Sequence, residues 1–287
     1  MLNNLLDIIV VTYNNRKILE NTLSPLSREI TSLGMRIIVV DNHSLDGTAD
    51  WIRRNHPEWH LIPLNENVGF AKGNNIALKF SKAKYILFLN PDVITNYLSI
   101  DAMVEFMENN DDVAILGPKL INRDGGLQFS CRHFPTPMTN LFELLRLDRK
   151  YPRSSIFGHY LMSNINHDQI IDVDYVCGAA MLVRTKVLEE IGQFDEEFFI
   201  YAEEAELCWR AQKRGYRVVY FPKAIMIHLG GESTRALKKE MYSEAIRSRW
   251  RFFIKTSGYH SALLYLLPTI GSSLLAGKQL CSKLWRS

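Results

Sequence analysis

The chain has 287 residues, 47% of them hydrophobic, with a formal net charge of +3 and 4 cysteines. That length and apolar content fit one large domain, or a domain with an appended segment, and exclude a disordered chain. Charge this small, dispersed through the first 230 positions, gives no footprint for nucleic acid.

Cys131, Cys177, Cys208 and Cys281 show no CxxC spacing, so zinc ligation is not indicated. Cys177 and Cys208 sit in apolar stretches where a buried thiol is sufficient explanation. The chain opens on a strand pattern rather than a cleavable leader, and the expectation is a reduced, cytoplasmic protein.

In chain order, Ile8 to Val11 is a β-branched run that reads as a strand buried on both faces. It ends in Thr12-Tyr13-Asn14-Asn15-Arg16, a turn without glycine. A dinucleotide fold needs GxGxxG there so that the backbone can approach pyrophosphate, and a dehydrogenase is disfavoured. Lys17 to Ser32 has helical spacing, Ile37 to Val40 reads as a second strand, and Asp46 to Asn55 as a second helix. Between them, Asp41 ends a buried strand, where a carboxylate can accept the imide N–H of uracil or thymine. Ser44 or Asp46 reads either as part of the site or as an N-cap.

Leu61 to Leu64 reads as a third strand and Ala71 to Phe80 as a third helix. The loop between them, with Asn67, Gly69 and Lys72, either cradles a ligand's phosphate or base or serves a structural turn. Tyr85 to Leu89 is the most hydrophobic strand, and Asn90-Pro91-Asp92 ends it. Pro91 stops the ladder, leaving Asp92 either to ligate Mg2+ or Mn2+ or to cap a helix from Ile94. This alternation implies a mostly parallel sheet whose carboxyl ends line a ligand crevice.

Further on, Asn122 to Gln128 carries the Asp-Gly signal of a hairpin turn, and Arg132 follows it. An aromatic run from Phe198 to Tyr201 precedes Glu203, Glu204 and Glu206 on a helix. Glu206 and Arg210 stand at i and i+4, the spacing of an ion pair. Glu203 and Glu204 lie in the first turn, where the aromatic run can wall them from water and raise a carboxylate toward a useful base. Val218 to Phe221 reads as a strand leading to His228, and Gly230 and Gly231 open a loop small enough to fold over a ligand. No P-loop exists, since Gly277-Lys278 is followed by Gln.

Basic residues from Lys238 to Lys255 precede a stretch, Thr256 to Gly277, without Asp, Glu, Lys or Arg. That composition fits an interfacial helix drawn to anionic lipid, or a segment that packs on the domain or builds an oligomer.

Taken together, Val10 to Asn14, Val40 to Thr48, Asn65 to Ala71, Leu89 to Asp92, Cys177 to Ala179, Gly192 to Glu196 and His228 resemble the glycosyltransferase family 2 enzymes, above all their bacterial rhamnosyltransferase-like branch. The resemblance implies a GT-A fold over residues 1–235, a Rossmann-like α/β sheet flanked by helices, followed by a helical extension over 236–287. It implies that Thr12, Tyr13 and Asp41 hold the base and ribose, with Asn14, Asn67, Gly69, Lys72 and Asn90 also nucleotide-side. Asp92, as second acid of a DxD motif, would bind Mg2+ or Mn2+ with the diphosphate, and His228 would be a further metal or phosphate ligand. Glu204 aligns with the base that deprotonates the acceptor, Glu203 and Glu206 are alternates, and Arg132 either faces the acceptor or is a surface arginine.

The implied reaction is an inverting displacement from a dTDP- or UDP-sugar, with rhamnose the favoured sugar, onto a glycan or polyprenyl-linked acceptor at the inner face of the cell membrane. Two positions depart from the family pattern: Asn90 replaces the first acid and Glu204 the usual Asp. Those departures leave open a non-catalytic member that binds nucleotide sugar or partner enzymes. A nucleotidyltransferase would want a glycine-rich basic loop after the first strand, which Thr12 to Arg16 does not offer.

Overall fold

A computed structural model describes residues 5–30, 35–230 and 238–284. Its first half alternates strictly: β1 Leu6–Thr12, α1 Arg16–Ile30, β2 Arg36–Asp41, α2 Thr48–Asn55, β3 His60–Pro63, α3 Phe70–Leu78 and β4 Tyr85–Leu89. The short strand β5 Val93–Ile94, helix α4 Tyr97–Glu108 and the long strand β6 Val113–Ile121 follow. Next come β7 Leu127–Gln128, β8 Cys131–Arg132, α5 Pro137–Leu144, α6 Leu147–Lys150, β9 Ile171–Asp172 and β10 Tyr175–Val176. The rest is β11 Ala180–Arg184, α7 Thr185–Ile191, α8 Glu203–Lys213, β12 Arg217–His228 and α9 Lys238–Leu284.

The main sheet runs β3-β2-β1-β4-β11-β6-β12-β5. Strands β3, β2, β1 and β4 pair in parallel, as do β6 and β12, while β11 is antiparallel to both β4 and β6. Two reversals restore direction, so β12 runs the same way as β4. The carboxyl ends of β1, β2, β4 and β12 therefore share one edge, and there the sheet carries its polar residues.

Successive strand residues point to opposite faces, and the core divides accordingly. Ile9, Val11, Ile38, Val40, Ile86 and Phe88 pack on one face. Ile8, Val10, Ile37, Val39, Tyr85 and Leu87 pack on the other. Each fully buried side chain of this kind contributes about 1.5–3 kcal/mol, which makes the sheet the rigid part of the molecule.

Three local expectations are corrected. Asp92 caps no helix from Ile94, because Val93 and Ile94 pair with His228 and Ile227 as β5. Helix α4 starts later, capped by Asn96, whose side chain accepts from the Ser99 N–H. Neither Ser44 nor Asp46 is the N-cap of α2; Gly47 is, at φ 79, while Asp46 accepts from the Thr48 N–H at 3.1 Å. Cys208 is buried as expected, but Cys177 is only half-buried.

The Asp-Gly turn forms as read, pairing Leu120 with Gln128 and Ile121 with Leu127. The start of the C-terminal segment packs on the domain: Phe252 joins the main core, Ser248 donates to the Ile200 carbonyl at 2.8 Å, and Lys255 pairs with Asp195 at 2.6 Å. Helix α9 breaks at Gly258, at φ 81 and ψ 173. No helix among the described residues is long and apolar enough to cross a membrane. The expected ligand-covering loop beyond Gly230, and the side chains of Leu267, Leu274 and Leu275, lie outside the described residues.

Candidate active site

A cleft of about 280 Å3 opens at the carboxyl edge of the sheet, lined by Thr12, Tyr13, Asn90, Asp92, Glu204 and His228 among others. These six come from four separate segments of the chain. What joins them is parallel strand direction plus the β5–β12 pairing, which sets His228 opposite Val93 and so beside Asp92.

The Asp92–His228 pair is close, with Nε2 to Oδ1 at 3.3 Å, and Asp92 is buried. Gln128, which sequence reasoning passed over, fixes the imidazole. Its Nε2 donates to the His228 carbonyl and to Asn122 Oδ1, both at 2.7 Å, so its Oε1 faces His228 Nδ1 at 2.8 Å. Since that oxygen can only accept, Nδ1 donates to it, which leaves Nε2 as the ring nitrogen that faces Asp92. A carboxylate and an oriented imidazole nitrogen side by side are a donor set suited to a divalent cation that takes its remaining ligands from water and phosphate. No group of three or more His, Cys, Asp or Glu stands ready to hold a metal by itself among the described residues. The fit is therefore to a cation shared with a ligand.

Thr12 and Asp41 end β1 and β2 in register. Asp41 Oδ2 accepts from the Ser44 N–H at 3.3 Å, whereas Asp41 Oδ1 and Thr12 Oγ1 are buried with no hydrogen-bond partner. Burial raises the Asp41 carboxyl above its ordinary range, against the Ser44 hydrogen bonds that lower it. Orphaned buried polar atoms at a strand end are groups that a bound ligand can satisfy. Asn67 lines the cleft and accepts from the Gly69 N–H at 3.0 Å. Asn42 ties the same loop down, donating to the Gly69 carbonyl at 3.0 Å and accepting from the Val68 N–H at 3.2 Å.

Gly69 is demanded by the protein itself. Its φ is 84, and a Cβ there would lie 2.4 Å from the Phe199 carbonyl oxygen. The Phe70 N–H donates to that same oxygen at 2.7 Å, so the glycine lets the two cleft walls meet.

On the opposite wall, Tyr201 and Ala202 adopt φ of 71 and 66, uncommon for residues other than glycine, and deliver the chain into α8. Glu203 and Glu204 stand in the first turn of that helix and both line the cleft. One oxygen of each, Oε2, is buried without a partner. Burial pushes Glu203 well above the ordinary carboxyl range, reinforced by Glu204 beside it. Burial also raises Glu204, opposed by backbone hydrogen bonds and by the charge of Arg132. These are conditions for a proton-accepting carboxylate.

Other expected residues lie elsewhere. Glu206 forms the ion pair that its spacing suggested, meeting Arg210 at 2.8 Å. Asn14 is away from the cleft and braces the turns after β1 and β2, its Oδ1 accepting from the Leu45 N–H at 2.7 Å. Lys72 is exposed and does not line the cleft. Arg132 lines a neighbouring chamber that shares Glu204 with the first.

The mostly parallel α/β sheet flanked by helices, with a polar cleft at its carboxyl edge, is of GT-A architecture. Residues 7–192 match the profile of "Glycosyl transferase family 2", and the chain belongs to that family and is a glycosyltransferase. It is 29% identical to the low-salt glycan biosynthesis hexosyltransferase Agl10 of Haloferax volcanii, over 95% of this chain and 82% of that one. It is 28% identical to an N-acetylglucosaminyl-diphospho-decaprenol L-rhamnosyltransferase of Mycobacterium tuberculosis, over 80% and 77%. Rhamnosyltransferase WbbL of Escherichia coli is 27% identical over 65% and 70%. Among solved structures, a mannosyltransferase of Pyrobaculum calidifontis in complex with GDP-Man and Mn2+ superposes with a TM-score of 0.56 at 14% identity, covering 97% of this chain and 79% of the other. That likeness shows the fold.

Proposed function

We propose that the chain is an inverting, metal-assisted glycosyltransferase that moves a sugar, rhamnose first among candidates, from a dTDP- or UDP-sugar to a hydroxyl of a glycan or lipid-linked glycan in cell-surface polysaccharide synthesis. One observation carries this reading: the Asp92–His228 pair, the buried Glu203 and the half-buried Glu204 line the same cleft. Relatives named as rhamnosyltransferases support the sugar, and the relative named for a diphospho-decaprenol substrate supports the acceptor class.

In this mechanism Thr12, Tyr13 and Asp41 receive the base and ribose at the ends of β1 and β2, where unsatisfied oxygens await donors. Asp92 and the Nε2 of His228 would hold a Mg2+ or Mn2+ together with the donor's diphosphate. When bound, the cation neutralises charge on the departing diphosphate. Glu204 accepts the proton of the acceptor hydroxyl as its oxygen bonds to the anomeric carbon, and the anomeric carbon–phosphate oxygen bond breaks with its electron pair leaving on the nucleoside diphosphate. Displacement from the opposite face inverts the anomeric centre and needs no covalent sugar intermediate.

The family's usual Asp base is one methylene shorter than Glu204. The αL residues Tyr201 and Ala202 set where α8 begins and so where the longer side chain delivers its carboxylate.

Membrane-surface contact belongs to the same proposal. Leu145, Leu263 and Leu264 are exposed beside or on helices α5 and α9, which pack together. Flotation with anionic vesicles tests it, and a protein that stays wholly at the bottom of the gradient would refute it.

The principal experiment is thermal stability against dTDP, UDP and other nucleoside diphosphates with and without Mn2+. A ligand at 100 times its Kd stabilises by about 2.7 kcal/mol. The expected outcome is a shift with dTDP or UDP that needs Mn2+ and is absent in Asp92→Ala. No shift with any nucleotide would overturn the donor assignment.

A further inference from the structure

Among the described residues, none of those lining the first cleft is a lysine or arginine. Across Glu204 lies a second chamber of about 370 Å3 with the opposite character. Arg132 and Arg249 both line it, and both guanidiniums sit over the ring of Tyr160, at 5.8 and 5.5 Å from its centroid.

The two arginines are not equally satisfied. Arg249 is paired with Glu143 and donates to the Tyr160 hydroxyl at 3.2 Å. That hydroxyl is in turn 2.8 Å from the Tyr175 hydroxyl. Arg132 makes no ion pair with a carboxylate among the described residues; it hydrogen-bonds with Tyr175, and its Nε donates to the Phe129 carbonyl at 3.4 Å. Its charge lowers the Glu204 carboxyl, so the two groups feel each other without closing on one another. Two guanidiniums gather at one aromatic ring; Glu143 pairs with Arg249, and Arg132 is the one that makes no carboxylate ion pair among the described residues. Guanidinium forks match phosphate oxygens in geometry and charge. The remaining wall includes the apolar side chains of Leu144, Ile246, Tyr242 and Tyr265.

We propose that this chamber receives an anionic acceptor, its phosphate or diphosphate held by Arg132 with Arg249, which leaves a sugar hydroxyl of the same molecule at Glu204. This inference deepens the proposed function and rests on it. The chemistry is shared by a lipid-diphosphate head group and by a free sugar phosphate. Anion handling is thus divided between the chambers, with a removable cation on the donor side and fixed guanidiniums on the acceptor side.

The test uses the full chain in EDTA, where the donor cleft has no cation to hold a diphosphate. Calorimetric titration with farnesyl diphosphate, farnesol and inorganic pyrophosphate is expected to show farnesyl diphosphate binding at least 10-fold tighter than farnesol. Arg132→Gln should lose at least 10-fold of that affinity, and Arg132→Lys, which keeps charge but not the fork, should fall between. Should Arg132→Gln fail to fold, the lysine variant carries the comparison. Farnesyl diphosphate binding tighter than pyrophosphate identifies a lipid-borne anion, and equal binding a soluble phosphate; either supports the assignment when it depends on Arg132. Farnesol binding as tightly as its diphosphate, unchanged affinity in the Arg132 variants, or no binding would overturn it. The Mn2+-dependent shift of wild type with dTDP or UDP reports the donor cleft separately, so failure there is distinguishable from failure here.

Discussion

The two chambers that meet at Glu204 are built by different means. The donor cleft sits on the carboxyl ends of parallel strands, so its residues are fixed by a ladder of backbone hydrogen bonds and by a core buried on both faces of the sheet. The second chamber is walled by α5, α9 and the short β8–β10 ribbon, elements joined through side chains such as Glu143, Arg249 and Tyr160. Strand ends give a site whose geometry scarcely depends on any one contact. Helices docked on a rim give a site whose walls can be re-cut without disturbing the sheet. The pairing teaches where rigidity and adaptability lie in this fold: the strand-end cleft is set by the backbone, whereas the second chamber is set by side chains.

The comparison breaks most sharply at the shared residue. Glu204→Gln removes the proposed base from both chambers and should lower transfer by about 10²–10⁴-fold while nucleotide shifts persist. Retained transfer in a radiolabelled-sugar assay would move the base to Glu203 or abolish its need. Because burial raises Glu204, the acid limb of the rate should lie above the ordinary glutamate range. Below that limb the carboxyl is protonated and cannot accept the hydroxyl's proton, so a rate–pH profile flat through mildly acid pH would contradict it.

Asp92→Ala strikes the donor side alone and should reduce turnover by about 10²-fold, the scale of losing one charge-stabilising group. It should leave farnesyl diphosphate binding in EDTA untouched. Gln128→Ala tests whether orientation matters as well as ligation. Freeing the His228 imidazole should weaken Mn2+ affinity by about 10-fold or more, read as a rightward shift of the metal activation curve. An unchanged curve would mean that His228 needs no fixed tautomer.

The smallest effect is on stability. Glu203 is raised by burial and by Glu204, so its contribution to folding is present when protonated and is lost as pH rises through its raised value. Glu203→Gln is neutral throughout, so it should melt about 2–4 °C above wild type at pH 8, a gain of about 1 kcal/mol, and show no advantage at pH 5. Equal melting temperatures at both values would show that the pair relieves its repulsion in another way.

Much of the cleft at the sheet's carboxyl edge was legible before the structure. Apolar runs ending in Thr12, Asp41 and Asn90 announced parallel strands, and the polar residue after each run had to fall at the crevice because strand direction leaves it nowhere else. Gln128 was not legible, since it lies in a hairpin exposed by its composition and acquires a role only when β7 meets the end of β12. Asp92 was read against a cap of the following helix, and the β5–β12 pairing settled that it faces His228. Lys72 illustrates the converse: a basic residue in a promising loop, turned to solvent because the buried positions of α3 occupy the other face.

Periodicity and strand-end chemistry, which act over neighbouring residues, were enough by themselves to determine the alternating α/β order, the parallel half of the sheet and the polar edge. The placement of β11 between β4 and β6, the meeting of Asp92 with His228, and the second chamber with its two arginines were decided only by tertiary structure. Those contacts join positions far apart in the chain, and their energies depend on burial and pairing partners that no local pattern encodes.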